Sequence, residues 1–306
     1  MVSKGRSCMF VYDNKFQNEK DILAFINKAE DNYKNQVLDI AKKISKIDNL
    51  KFLTLAGPSC SGKTTTSYIL EEELKMHDIT VKIVSIDDFY RDRADISDDE
   101  KPDYESISAI DFPVFVECVE NILNGKTAML PKFDFKSGCR VEMNPYVSAP
   151  HEIVVFEGIQ AIYPEIIATL PRDTFKSIYI CPEDDVQIGD EYFDKREIRF
   201  YRRLVRDFLF RNATASRTLE LWSGVVENED KNIIPYGMHA DFIINSSLAY
   251  ELAVIKPFLL KKIHYDMNSL KEKSLFDSIA NKFANIEEIS ERHIPKDSVF
   301  REFIGK

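Results

Sequence analysis

The sequence predicts an α/β protein with a doubly wound, mostly parallel sheet, small lid and hairpin insertions, and helical termini. The first observation is that short β-like runs alternate with helical segments, which is the pattern of consecutive βαβ units. The second is that three of these runs are almost continuously apolar, as expected of strands that are covered on both faces. The predicted strands span residues 51–56, 81–86, 153–156, 177–180 and 241–245.

Periodicity and turn residues predict the elements around these strands. Apolar residues recur at helical spacing over 19–47, which predicts one or two helices on the outside of the sheet. The charged stretch 91–103 is predicted as a loop, and the glycines and prolines of 125–150 indicate a small hairpin insertion. From about residue 252 the chain is predicted to be helical, with a less regular tail from Pro295.

Composition excludes several classes of protein. The 306 residues are 44% hydrophobic and 30% charged, so the chain is neither disordered nor fibrous. The net charge of −10 argues against a nucleic-acid-coating surface, and no apolar run is long enough to predict a membrane span or a secretory signal. The five cysteines are scattered, with no C-x-x-C pair. They predict neither a disulfide framework nor a zinc site, and they favour a reducing cytoplasm.

A glycine-rich motif directly follows the first predicted strand. Residues 57–64 read GPSCSGKT, which fits G-x-x-x-x-G-K-[ST], and a helical segment follows from Thr65 to about residue 76. Small residues let backbone N–H groups curl around phosphate oxygens, and the helix N-terminus favours the anion. Lys63 would reach the β- and γ-phosphates of a nucleotide, and the Thr64 hydroxyl would bind Mg²⁺. The predicted nucleotide-binding residues are Gly57, Pro58, Ser59, Cys60, Ser61, Gly62, Lys63, Thr64 and Thr65.

The alternative is a glycine turn without a ligand. The motif alone does not choose among kinase, GTPase and motor, although no N-K-x-D motif follows it to indicate a GTPase.

Two further predicted strands end in acidic residues. Ligands gather outside the carboxyl ends of strands in an open parallel sheet, so Asp87 should lie near the γ-phosphate. A carboxylate there can accept the proton of an attacking hydroxyl. The alternative is that Asp87 or Asp88 only caps a helical turn. Glu157 follows the next strand and would hold Mg²⁺ directly or through water, with a solvated strand end as the alternative.

Arginines are concentrated on one predicted helix, at positions 196, 199, 202, 203, 206 and 211. Arg199, Arg203 and Arg206 share a face, and Asp207 is four residues from both Arg203 and Arg211, so it can orient them. Guanidinium groups form paired hydrogen bonds with phosphate oxygens. The cluster therefore predicts a mobile lid around residues 190–215, whose arginines neutralise the charge of a phosphoryl group during transfer. A solvated, salt-bridged helix and a nucleic-acid patch are the alternatives.

The motifs and the order in which they occur resemble those of the uridine kinase/phosphoribulokinase family of P-loop kinases, over about residues 51–256. The resemblance rests on residues 57–66, 85–93 (SIDDFYRDR), 130–140 (LPKFDFKSGCR), 154–159 (VVFEGI), 202–213 (RRLVRDFLFRNA) and 240–256. Residues 216–236 and 298–305 look closer to a bacterial uridine-kinase-like branch. The resemblance implies a P-loop NTPase fold, with an N-terminal helical extension over 1–48, a kinase domain over 49–265 and a C-terminal helical extension over 266–306.

The resemblance also implies a function. It implies phosphorylation of the 5′-hydroxyl of a nucleoside, uridine or cytidine first, by ATP or GTP with Mg²⁺, in nucleotide salvage. A homo-oligomer is compatible with it. The implied catalytic residues are Asp87, Lys63, Arg203 and Arg206, with Arg211 on the nucleotide and Thr64 and Glu157 on Mg²⁺. The implied acceptor-binding residues are Asp87, Tyr90, Glu105, Phe133, Arg140 and Arg206.

The sequence departs from this family where pyrimidine kinases contact the base. Those relatives carry Tyr and, five residues later, His, whereas this chain has Phe133 and Gly138. The change removes two hydrogen-bonding side chains, and buried polar partners give strong discrimination between substrates. The phosphorylating chemistry is therefore better supported than the choice of base. A kinase for another nucleoside, a sugar phosphate or pantothenate, and a non-catalytic nucleotide-binding module, stay as alternatives.

Overall fold

The computed structural model describes residues 9–12, 15–95, 104–263 and 270–305. The strands, in chain order, are β1 (Met9–Tyr12), β2 (Phe52–Ala56), β3 (Thr80–Ser85), β4 (Ala128–Asp134), β5 (Cys139–Tyr146), β6 (Glu152–Glu157), β7 (Phe175–Cys181), β8 (Asp185–Ile188), β9 (Glu191–Phe193) and β10 (Phe242–Asn245). The helices are α1 (Glu19–Ile44), α2 (Lys63–Lys75), α3 (Phe112–Leu123), α4 (Pro164–Thr169), α5 (Lys195–Phe210), α6 (Ala215–Asn228), α7 (Ile234–Gly237), α8 (Glu251–Lys261), α9 (Leu270–Phe283) and α10 (Arg301–Ile304).

A five-stranded parallel sheet with the order β10-β7-β2-β6-β3 forms the centre of the molecule. Strand β2 lies in the middle, where Leu55 pairs with Glu157 on one side and with Ile178 on the other. Because the strands are parallel, their carboxyl ends meet at one edge of the sheet. That edge brings together the loop after β2, the turn after β3 and the end of β6. The sheet confirms the predicted α/β class, and each of the five predicted strands belongs to it.

The two faces of the sheet are covered by separate apolar clusters. Alternate side chains of β2 point to opposite faces, so Leu53 and Leu55 join one cluster while Phe52 and Ala56 join the other. The first cluster contains buried residues of α1, α2, α5 and α8, and the second contains those of α3 and the β4–β5 hairpin. Burial on both faces explains why the strand sequences are so uniformly apolar.

Helix α1 is one continuous helix, where the periodicity left one or two open. Asn18 begins it by accepting hydrogen bonds from the N–H groups of Lys20 and Asp21. Its buried positions recur every three or four residues, from Ile26 to Ile44, and pack in the same cluster as α2 and β10. The helix thereby covers the outer side of the phosphate-loop helix.

The smaller elements agree in part with the predictions made from the sequence. The hairpin predicted within 125–150 is the antiparallel pair of β4 and β5. Residues 91–95 contain only a short 3-10 turn, and the rest of the predicted loop, 96–103, lies outside the described residues. Strands β1, β8 and β9 form a second sheet that the sequence did not predict. The C-terminal part is helical in α8 and α9, and irregular from residue 284 to α10.

Helix α5 is the arginine-rich helix of the predicted lid. Residues 198–207 are buried in it, and the helix packs against α6, α8 and α10. Two of its arginines form buried ion pairs, Arg199 with Glu229 and Arg202 with Glu251. The helix is therefore salt-bridged but not solvated, and movement of a lid stays a prediction. Of the helices described, none has both the length and the apolar character needed to cross a membrane.

Candidate functional site

The phosphate loop joins β2, the central strand, to the N-terminus of α2. Gly57 begins the loop, and a Cβ atom there would lie only 2.1 Å from the backbone oxygen of Ile180 on the neighbouring strand. Gly62 ends it with φ 96°, a left-handed conformation that side chains disfavour. The two glycines of the motif are thus required by backbone geometry, and the first N–H groups of α2 are directed into the loop.

Cationic side chains hold the carbonyl groups of the loop. Lys63 Nζ donates to the oxygens of Gly57 and Pro58 at 3.0 and 3.1 Å. From α5, Arg199 donates to the oxygen of Ser59 at 3.4 Å, and Arg202 donates to that of Cys60 at 3.2 Å. Carbonyls of four consecutive residues therefore accept from positive groups. Glu229 and Glu251 neutralise the two arginines, so Lys63 is the cation of this set that can exchange its carbonyl partners for phosphate oxygens.

Asp87 lies beside this loop, in a 3-10 turn (residues 86–89) that directly follows β3. It caps no helix, because Ser85 precedes the turn and no side chain makes a capping bond there. The Tyr90 hydroxyl lies 2.6 Å from the backbone oxygen of Tyr104 and 3.2 Å from Asp87 Oδ1, and its single proton can be donated to either acceptor. Burial raises the pKa of Asp87 above its usual value, and the charge of Lys63 opposes that shift. The result is a partly buried carboxylate of increased basicity, near the lysine that would bind phosphate.

The neighbouring carboxylate, Asp88, has a different environment. Its oxygens accept from Lys132 Nζ at 3.1 and 3.2 Å and from the N–H group of Phe133 at 3.2 Å. These contacts tie the β4–β5 hairpin to the end of β3. Asp88 therefore positions the hairpin and also lines the groove that contains Thr64 and Glu157. Asp87, in contrast, makes no hydrogen bond to the hairpin within the described part of the chain, and its pKa is influenced first by burial and then by Lys63.

Glu157 and Thr64 fit the requirements of a Mg²⁺ site. Both line one groove of about 540 Å³ together with Asp88. Glu157 Oε2 is buried and has no hydrogen-bond partner among the described residues, so it can accept a metal-bound water. Burial raises the pKa of Glu157 to about 7, with Lys63 opposing the shift and Asp87 adding to it. A bound metal ion would supply a positive charge that stabilises the ionised form of this carboxylate.

Within the described residues, no group of three or more His, Cys, Asp and Glu side chains could hold a metal by itself. The Mg²⁺ of a nucleotide complex keeps several waters and phosphate oxygens as ligands, so one hydroxyl and one carboxylate are compatible with it.

The predicted phosphate-binding arginines converge on Asp207. Arg203 Nε lies 3.3 Å from Asp207 Oδ2, Arg206 Nη2 lies 2.7 Å from Oδ1, and Arg211 Nε lies 3.6 Å from Oδ1. The Arg203 contact has ion-pair distance without hydrogen-bond geometry, so that buried N–H has no hydrogen-bond partner among the described residues. Arg211 is the exposed member of the group, with 60% of its side chain accessible. Asp207 thus lies within ion-pair distance of three guanidinium groups, of which the spacing predicted two, Arg203 and Arg211.

A second cleft contains one of the six residues expected to bind the acceptor, Glu105. It measures about 490 Å³ and is lined by Tyr104, Glu105 and Arg203 together with residues of α6 and the turn after it. Tyr104 contacts the rings of Tyr90 and Phe133, with centroids 5.1 and 6.3 Å away. Tyr104 therefore links the cleft to Tyr90, whose hydroxyl lies 3.2 Å from Asp87 Oδ1.

Two further residues expected to bind the acceptor, Phe133 and Arg140, are engaged in contacts within the protein. Phe133 is 4% exposed, so its ring packs against Tyr90 and leaves little surface for a ligand. Arg140 pairs with Asp111 at 2.6 Å, at the start of α3. The space next to Gly138 is taken by a guanidinium group, because a Cβ atom there would lie 2.8 Å from Arg93 Cζ. The position where pyrimidine kinases resembling this one carry His therefore faces an arginine here.

Three residues of the site were missed by sequence reasoning. Gln160 is fully buried and donates to the Tyr90 hydroxyl at 3.1 Å and to the oxygen of Tyr104 at 2.6 Å. Gln160 follows Glu157 by three residues at the same edge of the sheet, and this position could have predicted that it belongs to the site. Tyr104 follows the charged loop with no motif of its own. Glu302 reaches the phosphate loop from the C-terminus, and nothing in the local sequence indicates it.

Comparison with known proteins gives a consistent assignment. A model of the phosphoribulokinase/uridine kinase family matches residues 52–252. Uridine kinase of Lactobacillus helveticus (strain DPC 4571) is 27% identical over 214 residues, covering 69% of this chain and 93% of that protein. Uridine kinase of Staphylococcus aureus (strain JH9) is 28% identical over 204 residues, covering 65% and 89%. A solved structure described as a possible uridine kinase from Bacillus stearothermophilus is 18% identical, with a TM-score of 0.46, covering 69% and 98%.

The family match spans the central sheet from β2 to β10 and includes the phosphate loop, Asp87, Glu157 and the arginines of α5. It covers about two thirds of the chain, and the relatives are matched over nearly their whole length. The chain therefore belongs to the phosphoribulokinase/uridine kinase family of kinases.

Proposed function

We propose that this protein transfers the γ-phosphoryl group of ATP, with Mg²⁺, to the 5′-hydroxyl of a nucleoside, with uridine or cytidine as the first candidates. The observation that carries the proposal is Asp87: a partly buried carboxylate of raised pKa, within the electrostatic influence of the phosphate-loop lysine and 3.2 Å from the Tyr90 hydroxyl. A kinase needs a base at this place to accept the proton of the attacking hydroxyl.

The residues around Asp87 divide the remaining work. The phosphate loop and Lys63 bind and orient the donor phosphates, and Arg203, Arg206 and Arg211 offer further positive charge from the side of α5. Thr64 and Glu157 would hold Mg²⁺, which neutralises phosphate charge when it is bound. Tyr90, kept in place by Gln160, orients the carboxylate of Asp87. These side chains position reactants and stabilise charge, which is what phosphoryl transfer requires of a protein.

The acceptor is proposed from the names of the relatives and from the aromatic cleft. Uridine kinases are similar to this chain over most of their length. The cleft offers Glu105 and Tyr104 as polar groups near ring-shaped surfaces, which suits a sugar attached to a base.

Arg93 beside Gly138 favours a second candidate, a small hydroxylated acceptor that carries a negative charge, such as a sugar phosphate or pantothenate. A guanidinium group would pair with a phosphate or carboxylate of that acceptor better than with a neutral pyrimidine.

The test is formation of phosphorylated product from ATP and Mg²⁺ with a panel of acceptors: uridine, cytidine, adenosine, guanosine, ribulose 5-phosphate and pantothenate. Product should be identified by mass, and Lys63→Met serves as the inactive control. Product from uridine or cytidine supports the proposal, and product from ribulose 5-phosphate or pantothenate alone favours the second candidate. ATP binding without product from any acceptor contradicts both and indicates a nucleotide-binding module.

A further inference from the structure

The C-terminal residues 294–305, here named the C-terminal strap, pack directly on the phosphate loop. Phe300 and Phe303 are fully buried, and Ser298 donates to Glu30 on α1 at 2.5 Å. Arg301 fixes the shape of the strap by donating to the backbone oxygens of Glu291, Ile294, Pro295 and Gly305. The strap is thus a held part of the fold rather than a loose tail.

The strap touches both ends of the turn that begins α2. A Cβ atom on Gly62 would lie 2.4 Å from Val299 Cγ2, so the strap covers the last glycine of the loop. Three residues further on, the Glu302 carboxylate accepts from the backbone N–H of Thr65 at 3.2 Å and from the Thr65 hydroxyl at 3.1 Å. Burial raises the pKa of Glu157 at the end of β6, and the charge of Glu302 adds to that shift.

These contacts put a negative group where a helix N-terminus favours an anion. The first turn of α2 contains no acidic residue, and its N-cap is Gly62, which has no side chain to cap it. Glu302 supplies the missing acceptor and negative charge. The same N–H and hydroxyl of Thr65 belong to the predicted nucleotide-binding set, and one donor cannot serve a carboxylate and a phosphate oxygen at full strength together.

We propose that Glu302 is an internal competitor of the nucleotide: its carboxylate occupies the Thr65 donors in the free protein and must leave them when phosphate binds. This inference rests on the proposed nucleotide binding. Rotation of the Glu302 side chain is sufficient, so the buried rings of the strap keep their places. The consequence is that the free protein is stabilised while its nucleotide affinity is lowered, by both competition for donors and repulsion between like charges.

The test compares Glu302→Gln with Asp297→Asn, a matched carboxylate-to-amide change on the same strap. Asp297 is 71% exposed and pairs with Lys34, away from the loop. The dissociation constant of Mg²⁺–ATP should be measured by calorimetry, and the urea midpoint should be measured without nucleotide. We expect Glu302→Gln to tighten ATP binding about tenfold or more and to lower the urea midpoint, while Asp297→Asn leaves the ATP affinity within about twofold.

Unchanged or weaker ATP binding by Glu302→Gln overturns the proposal, because Glu302 would then be only a cap for α2. If that variant does not fold, Glu302→Asp carries the same test, since its shorter side chain draws the carboxylate away from Thr65; tighter ATP binding supports competition and unchanged binding overturns it. If the wild-type protein and all variants fail to bind ATP, the proposed nucleotide binding itself is contradicted. That result is distinct from failure of the Glu302 proposal, in which the wild-type protein binds ATP and the variant binds it no more tightly.

Discussion

The buried pair between Arg202 and Glu251 offers a stability test of how the phosphate loop is supported. Arg202 is fully buried and Glu251 is 1% exposed, with hydrogen bonds of 2.5 and 2.9 Å between them. The same guanidinium donates to the oxygens of Cys60 in the loop and Ser246 after β10. Glu251→Gln changes the shape of the side chain very little, but it leaves the charge of Arg202 buried without its counter-ion.

The expected cost follows from this geometry. Removing one partner of a buried ion pair typically destabilises a protein by about 3–5 kcal/mol. Arg202 keeps two carbonyl partners and lies 4.9 Å from the ring centroid of Phe303, so part of its charge stays compensated. We therefore expect a loss of about 3 kcal/mol in the free energy of unfolding for Glu251→Gln, at the lower end of that range.

Glu220→Gln provides a matched control. Glu220 pairs with Arg217 at 3.2 Å, but both side chains are more than 60% exposed. An exposed pair of this kind contributes less than about 1 kcal/mol. The two variants make the same chemical change and differ in the burial of the pair.

Urea unfolding can be followed by fluorescence of Trp222, the single tryptophan of the chain, whose ring lies 5.2 Å from that of Phe200 on α5. The shift in midpoint multiplied by a common m-value gives the difference in stability. A loss below about 1 kcal/mol for Glu251→Gln, similar to that of the control, would refute the view that this pair holds the loop.

Two further predictions concern the site itself. Tyr90→Phe removes the hydroxyl that lies 3.2 Å from Asp87 Oδ1 and should lower kcat about tenfold with little change in the affinity for ATP, measured by steady-state kinetics and calorimetry. An unchanged kcat would show that Tyr90 does not orient the carboxylate. Gly57→Ala forces a methyl group to within 2.1 Å of the Ile180 oxygen and should abolish ATP binding and destabilise the fold by about 1–3 kcal/mol. Gly224→Ala, in a helix with no atom near the new Cβ, is its control and should be neutral or stabilising in the same urea titration.

The sheet and the phosphate loop could be predicted from sequence because local patterns determine them. The strands are buried on both faces, so their apolar character is visible residue by residue. The backbone of the loop tolerates only glycine at positions 57 and 62, and this steric requirement is visible in the sequence as a motif. Strand β1 is different: it is only four residues long (MFVY), and Met9 and Val11 are 51% and 66% exposed, so its apolar residues do not mark a buried strand that pairs with β8.

The environment of the arginine-rich helix could not be predicted in the same way. A run of charged residues normally lies in solvent. Here Arg199 and Arg202 are buried because Glu229 and Glu251, 30 and 49 residues later in the chain, neutralise them. Glu302 reaches Thr65 across 237 residues. Partners that are this distant in sequence leave no periodicity or spacing, so only the folded structure reveals them.

The central claim is that Asp87, and not its neighbour, accepts the proton of the attacking hydroxyl. The direct measurement compares kcat and ATP affinity in Asp87→Asn and Asp88→Asn, using the acceptor on which the wild-type protein is most active. Asp87→Asn should lower kcat by at least about 100-fold and leave the dissociation constant of ATP within about threefold, because only the base is lost. Asp88→Asn, which weakens contacts to Lys132 and Phe133, should lower kcat by no more than about tenfold. Retained turnover in Asp87→Asn, or an equal loss in both variants, would contradict the assignment.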